Sequence, residues 1–203
     1  ERLSSENMAD LVEPFDPQRY NHQATLGENL LFGVPTSRAL MGRNLAEHEG
    51  FREALDAEKL TLDLASMGAR IAETMVEIFR GLPPGHPLFE QFSFVGAEEL
   101  PEFDAILRRH VRRGSAGLRG QDLTRVLALP LAYIEPRHRL GLLDEAFEAR
   151  LVHARGAVRE RLAKSDDPGV EFYDPERVCT AAPLKDNLLF GRVSHNTANA
   201  QAR

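Results

Sequence analysis

The sequence predicts an all-α protein: an irregular helical bundle with a long spine helix in its C-terminal half and two similar short helical motifs near its ends. Three observations carry that expectation. Apolar residues recur at +3 and +4 spacings almost throughout, which is the period of one helix face, and no stretch reads as a convincing sheet strand. The 203 residues are 42% apolar and 28% charged, an ordinary globular composition in a chain long enough to bury a core. Finally, one stretch that has the marks of a short capped helix occurs twice.

The first copy is FDPQRYNHQATLGENLLFG, residues 15–33, and the second is YDPERVCTAAPLKDNLLFG, residues 173–191. They align without a gap. Asp16 matches Asp174, Arg19 matches Arg177, Leu26 matches Leu184, and Asn29 to Gly33 match Asn187 to Gly191 identity for identity. Two copies this far apart do not make a solenoid. Thr25-x-x-Glu28 has capping-box spacing, so the Thr25 hydroxyl can accept from the Glu28 N–H while the Glu28 carboxylate reaches back. Leu26, Leu30 and Leu31 give the helix an apolar side, and Gly33 is placed to close it as a left-handed residue. In the second copy Pro183 replaces the threonine, while Asp186 keeps a negative charge near the helix start. A helix of about two turns is unstable alone in water, so each copy is expected to dock on something.

Between the copies the elements read as follows. Residues 1–14 predict a short helix and a turn. Residues 34–43 carry Pro35 and Gly42 and form a connector, and 45–59 is helical. Thr61 offers an N-cap to the next helix, whose face is Leu64, Met67, Ile71, Met75 and Ile78. Gly81 and Pro83-Pro84 stop it. GLPPGHPLFEQFSFV, residues 81–95, is an irregular loop in which Leu88, Phe89, Phe92 and Phe94 have reason to bury. Residues 98–112 form a helix, and Arg108, Arg109, Arg112 and Arg113 cluster near its end, where cations suit the helix dipole. Residues 121–129 are helical, and Pro130 kinks or ends that helix. The longest helix is expected over 139–164, with Leu140, Leu143, Phe147, Leu151, Ala154, Val158 and Leu162 on one face. At ~1.5 Å per residue it would span about 40 Å. Gly141 and Gly156 inside it each cost about 1 kcal/mol against alanine and suggest close helix packing. Residues 165–169 end it, and GVEFYDPERV is extended.

The pattern S/T-x-x-E-N-L-L-F-G resembles the segment that follows the Q-loop in ATP-binding domains of ABC transporters, where it enters the helical subdomain. With the DP-x-RYN lead-in, the double occurrence and PPGHPLFEQFSF, the chain resembles a bacterial subfamily of ABC transporter ATP-binding proteins that carry a large helical insertion. LASMGARIAETMVEIF and LALPLAYIEPRHRLGL add weaker support. The resemblance implies a helical accessory domain with a coupling or structural role, in a parent that hydrolyses ATP with Mg²⁺ to drive transport. It implies the rest of the ATP-binding domain and a transmembrane permease as partners, at the cytoplasmic face of the inner membrane. By the same analogy the docking residues are Thr25, Glu28, Asn29, Leu30, Phe32 and Gly33, with Asp186, Asn187, Leu188, Phe190 and Gly191.

The chain departs from that family where nucleotide chemistry is concerned. A phosphate loop needs G-x-x-x-x-G-K-[ST], and no Gly-Lys dipeptide occurs. The LSGGQ signature is absent, with MGARIAETM, residues 67–75, standing where it might fall. No apolar strand ends in paired acids, and GSAGLRG, residues 114–120, lacks the lysine. No cofactor is therefore expected in this chain, and ATP and Mg²⁺ belong to the parent. The chain begins without Met and stops inside a predicted helix, NTANAQAR, as expected of a piece of a longer protein.

Net charge of −6 argues against a nucleic-acid surface. One cysteine, Cys179, excludes an internal disulfide. The longest apolar run, residues 126–134, is far short of a membrane span and is interrupted by Pro130. Glu135-x-x-His138 puts two possible metal ligands one turn apart, without the spacing of a known zinc motif. No acid, base and nucleophile set can be assembled from spacing, so the chain alone is not expected to be an enzyme. The alternative to the accessory-domain reading is a stand-alone helical ligand-binding or regulatory module, with residues 88–94 lining its pocket.

Overall fold

The elements in chain order are β1 (Val12–Pro14), α1 (Leu26–Leu31), β2 (Gly33–Pro35), α2 (Glu49–Ala57), α3 (Thr61–Phe79), α4 (Leu100–Arg113), α5 (Gly120–Leu131), α6 (Glu135–His138), α7 (Glu145–Leu162), β3 (Val170–Phe172), α8 (Leu184–Leu189) and β4 (Gly191–Val193). They come from a computed structural model that describes residues 11–83, 85–87, 89, 95–113, 117–164, 168–174 and 176–194, with the backbone alone at 110–113. Two 3₁₀ segments, Arg38–Leu40 and Gly42–Glu47, link β2 to α2. The described residues are mostly helical, and no helix among them is long and apolar enough to cross a membrane.

Helix α3 lies at the centre. Its apolar face buries Leu64, Met67, Ile71 and Met75 as the spacing predicts, but Ile78 turns outward and Phe79 takes the last buried place. Thr61 is the first helical residue rather than the N-cap, which is Leu60, and its hydroxyl donates to the Asp56 carboxylate. α3 packs on α4 and most closely on α5. The α3–α5 crossing is close because Gly68 has no side chain: a Cβ there would stand 2.1 Å from the Val126 carbonyl oxygen. Pro130 sits in the last turn of α5, where the Ala132 and Tyr133 N–H groups close the helix onto the carbonyls of Leu129 and Pro130.

The expected spine helix over 139–164 is shorter than its apolar spacing suggests. It begins only at Glu145, with the Asp144 carboxylate capping the Phe147 N–H at 2.8 Å, and spans about 27 Å. With 18 residues it is not the longest helix, since α3 has 19. The physical reason lies in Glu135 and Tyr133. The Glu135 carboxylate accepts from the N–H groups of Gly141 at 2.9 Å and Leu142 at 3.1 Å, and the Tyr133 hydroxyl accepts from the Leu140 N–H at 3.1 Å. These donors are thereby taken up by side chains, and Arg139 and Gly141 adopt φ of 53° and 61°. Leu140 and Leu143 pack on the core from a loop, not from a helix face. Gly141 and Gly156 do not mark close packing, because a Cβ at either would meet nothing within 4 Å.

Among the described residues four three-residue strands form two antiparallel ladders, β1 with β4 and β2 with β3, in a chain whose sequence suggests no sheet. Three residues are too few to show an alternating period, and their partners lie at the opposite end of the chain. The main core gathers α1 to α5 and α7, while a second, smaller cluster joins Phe15, Ala24, Tyr173 and Cys179 with Phe32 and Phe190 at the ladders. Phe89 stacks on Phe79 at 4.3 Å. The rest of the predicted aromatic loop (Leu88, Phe92 and Phe94), most of 1–14, the glycines at 114, and NTANAQAR lie outside the described residues.

Candidate functional site

The two copies of the repeated segment meet each other, related by a pseudo-two-fold axis. The strand that precedes copy 1 pairs with the strand that follows copy 2, and the reverse holds for β2 and β3. Val12 faces Val193 in one ladder and Val170 faces Pro35 in the other, which are the same two repeat positions exchanged. The same exchange holds beyond the ladders. Phe15 N–H donates to Phe190 O at 2.8 Å and Tyr173 N–H to Phe32 O at 2.9 Å. Ser194 N–H donates to Leu11 O and Thr36 N–H to Gly169 O, both at 2.8 Å. This is the isologous contact of a two-fold dimer, built inside one chain.

Four aromatic rings meet at the junction, two from each copy. Phe15 stacks on Tyr173 at 4.4 Å, and Phe32 and Phe190 present edges to both at 5.5 to 6.3 Å. Phe32 and Phe190 reach the cluster because they, not Gly33 and Gly191, take the left-handed conformation that ends each helix, with φ of 44° and 40°. The glycines serve another need. A Cβ at Gly33 would stand 2.6 Å from Glu171 O, and one at Gly191 2.4 Å from Glu13 O, so only glycine lets each ladder close.

Each copy is folded by the same two side chains. Asn29 Oδ1 accepts from Asn21 N–H at 2.9 Å while its amide donates back to Asn21 O at 2.8 Å; Asn187 does the same with Cys179 at 2.8 Å each way. Glu13 accepts from Gln23 N–H and faces His22, and Glu171 accepts from the N–H groups of Thr180 and Ala181. These hydrogen bonds hold the Glu171 carboxyl below the usual glutamate range. The Thr25–Glu28 capping box forms as expected, at 3.1 and 2.8 Å. Its counterpart in α8 has no side-chain cap, with Pro183 at the cap position itself. Arg192 joins the two helices across the axis, bonding Glu28 of copy 1 and lying 3.8 Å from Asp186 of copy 2.

Besides the cap and Arg192, the symmetry fails at the outer side of each short helix. In copy 1 Leu26 and Leu30 are fully buried against α5 and α7, and Leu26 N–H bonds Tyr133 O at 3.1 Å. Arg155 of α7 enters copy 1 and fills its polar centre. Its guanidinium donates to the carbonyls of Asn29, Asp16, Pro17 and Arg19 and to Asn29 Oδ1, at 2.8 to 3.1 Å, and lies over the Phe32 ring at 4.3 Å. Burial pulls its pKa down to about 10, partly offset by Tyr20 and Asp16, so it stays charged at neutral pH. In copy 2 the matching Leu184 and Leu188 are 75% and 71% exposed, and no residue of α8 is buried.

Of the residues singled out from the sequence, Thr25, Glu28, Asn29, Leu30, Phe32 and Gly33 all make contacts inside this chain. Asp186, Asn187, Phe190 and Gly191 line the junction, and Leu188 faces out. Glu13, Glu171, Arg155 and Arg192 were not among them. Glu13 and Glu171 are legible, because the match extends upstream through Val12-Glu13 and Val170-Glu171. Arg155 carries no such signal: it is one arginine among several on an amphipathic helix.

The other candidates resolve into structural roles. Glu135 is taken up by Tyr133 and the loop N–H groups, and buried His138 accepts the Ile134 N–H on Nδ1 at 2.9 Å. Among the described residues no three His, Cys, Asp or Glu side chains gather as a metal site. Arg108 and Arg109 pair with Asp104 and Asp122. Cys179 is buried in the small aromatic cluster, which pushes its thiol up. A groove of about 390 Å³ runs between the copies, lined by Pro17, Phe32, Arg155, Phe172 and Tyr173.

His22 ties copy 1 to α7 through two carboxylates, Glu13 at 3.0 Å and Glu148 at 3.3 Å. Burial alone would lower its pKa, but the two acids outweigh it and the net shift is upward. A raised folded-state pKa means a contribution fully present below the ordinary histidine range and lost as pH rises through the folded value. Thermal melts of His22→Gln and the parent should therefore differ most near pH 6 and converge in alkali. A difference that grows with pH sinks the assignment.

Comparison with protein-family models, with curated proteins and with solved structures gives no match to this chain, so its functional reading rests on the repeated segment and on the junction that the two copies build.

Proposed function

We propose that this chain is a helical accessory domain of an ABC transporter ATP-binding protein, with a structural or coupling role and no chemistry of its own. The observation that carries the reading is the junction of the two Asn-Leu-Leu-Phe-Gly segments. The segment that resembles the entry to the family's helical subdomain is present twice, and the two copies close on each other through β1 with β4 and β2 with β3. The first and last described residues, Leu11 and Ser194, thus lie side by side, joined by one hydrogen bond of 2.8 Å. Adjacent entry and exit is the geometry that lets one domain sit inside another without disturbing it.

In this reading copy 1 is the fixed half, clamped by Arg155 and buried on α5 and α7, and copy 2 is the contacting half. Asp186, Asn187, Leu188 and Phe190 would meet the rest of the ATP-binding domain or the permease at the cytoplasmic face of the inner membrane. ATP and Mg²⁺ would be held by the host, since this chain has no Gly-Lys phosphate loop. Nucleotide-driven closure of the host would move the junction as a unit, because its ladders, rings and asparagine bonds leave little freedom between the copies.

The reading frame that encodes this chain tests the proposal. A phosphate loop is expected upstream, and LSGGQ followed by an apolar strand ending in Asp-Glu downstream. A frame that starts near Glu1 and stops near Arg203 overturns it and favours the stand-alone module.

A further inference from the structure

Copy 2 repeats the fittings of copy 1 but lacks its cover. In copy 1 the guanidinium of Arg155 is received by the carbonyls of Asp16, Arg19 and Asn29, by Asn29 Oδ1 and by the face of Phe32. The repeat places Asp174, Arg177, Asn187 and Phe190 at the equivalent positions, with the same backbone turns: Arg177 N–H bonds Asp174 O as Arg19 N–H bonds Asp16 O. Asn29 Oδ1 accepts both Asn21 N–H and Arg155, whereas Asn187 Oδ1 accepts Cys179 N–H alone among the described residues. Around it Val178, Leu184 and Leu188 are 72%, 75% and 71% exposed, where Tyr20, Leu26 and Leu30 of copy 1 are buried. Asp16, whose charge supports the guanidinium, returns as Asp174.

We propose that this face of copy 2 docks one partner helix with the chemistry of α7: amphipathic, and carrying a single arginine that enters between Asn187 and Phe190. The occupant is identified by the one that covers the equivalent face of copy 1. α7 presents Leu151, Ala154, Val158 and Leu162 around Arg155, a small apolar surface about a single cation. Charge is complementary, because the receiving groups are carbonyl oxygens, an amide oxygen and the Asp174 carboxylate. The contact is of the α7 kind only. Gly27 of copy 1 admits α5, with Leu131 O 3.0 Å from where its Cβ would be, but copy 2 has Lys185 there, which leaves no room for that second neighbour. The proposal follows from the internal symmetry and does not rest on the transporter reading, so either can fail without the other.

The probe is a synthetic peptide with the sequence of residues 144–163, titrated into the full isotopically labelled chain. Amide shifts are expected at Val178, Leu184, Asn187 and Leu188, saturating below ~1 mM. The peptide bearing Arg155→Gln is expected to bind about tenfold more weakly, for want of the charged donor. Leu188→Glu in the protein should abolish the response, and Leu184→Glu should do the same from a second exposed position. Both should leave the thermal midpoint within about a degree, as substitutions at exposed sites do. No saturable response at these residues, equal affinity of the two peptides, or shifts confined to Leu26 and Leu30 through displacement of α7 would each overturn the proposal.

Discussion

Arg155→Ala should cost about 3–5 kcal/mol, from charge-assisted hydrogen bonds lost to several buried acceptors at once. Arg155 is 7% exposed, and its guanidinium serves four backbone carbonyls and Asn29 Oδ1 at once. Truncation removes the donors to the carbonyls of Pro17, Arg19 and Asn29 beneath α7, while Asp16 O and Asn29 Oδ1 keep the N–H groups of Arg19 and Asn21; each buried acceptor left without a donor costs roughly 1–3 kcal/mol. The thermal midpoint should fall by roughly 10 °C in a chain of this size. Arg155→Lys should recover less than half of the loss, because one ammonium cannot reproduce a planar fork that reaches Asp16, Arg19 and Asn29 together. Hydrogen exchange locates the damage: amides of α1 should lose protection while those of α8 do not change. A loss below ~1 kcal/mol would mean the fork is spectator to the fold.

Gly68→Ala should destabilise by about 3 kcal/mol, against the sign of helix propensity. Alanine is better than glycine inside a helix by about 1 kcal/mol, so an isolated α3 would gain. Here the new Cβ would stand 2.1 Å from Val126 O and 2.9 Å from Val126 Cγ1, and backbone cannot yield as a flexible side chain can. α3 and α5 must move apart along their whole contact, which loosens Leu64, Ile71 and Val126 together. Gly156→Ala is the control. It lies inside α7 with nothing within 4 Å of the added atom, and should stabilise by about 0.5–1 kcal/mol. Urea midpoints of the two variants should shift in opposite directions; a shared direction would refute the packing argument for Gly68.

What could be read from the sequence was local. The capping box of Thr25 and Glu28 depends on residues three apart, and it forms as read. The buried face of α3 follows from period alone up to Met75, and misplaces only its end, where Phe79 competes with Ile78 for the last buried position. Failure came where a side chain from elsewhere intervened. Leu140, Leu143 and Phe147 have helical spacing, yet the backbone turns left-handed at Arg139 and Gly141, which a right-handed helix cannot include, and Glu135 and Tyr133 hold that turn by accepting the N–H groups of residues 140–142. Glycine is ambiguous for a related reason: the sequence shows Gly141, Gly156 and Gly68 alike, and only the neighbouring helix makes Gly68 the costly one.

The amino-acid sequence by itself determined that a segment is present twice, that each copy carries a short helix ending in Asn-Leu-Leu-Phe-Gly, and that such helices need a partner to persist. Tertiary structure alone decided that the copies partner each other across a pseudo-two-fold axis and that α7, through Arg155, covers one and not the other. The physical reason is distance along the chain. Capping and period are written within a few residues, where backbone geometry fixes which atoms can meet. The pairing of Val12 with Val193 and of Arg155 with Asp16 spans most of the molecule, and is selected only when the apolar faces of α1, α3, α5 and α7 close around a common core.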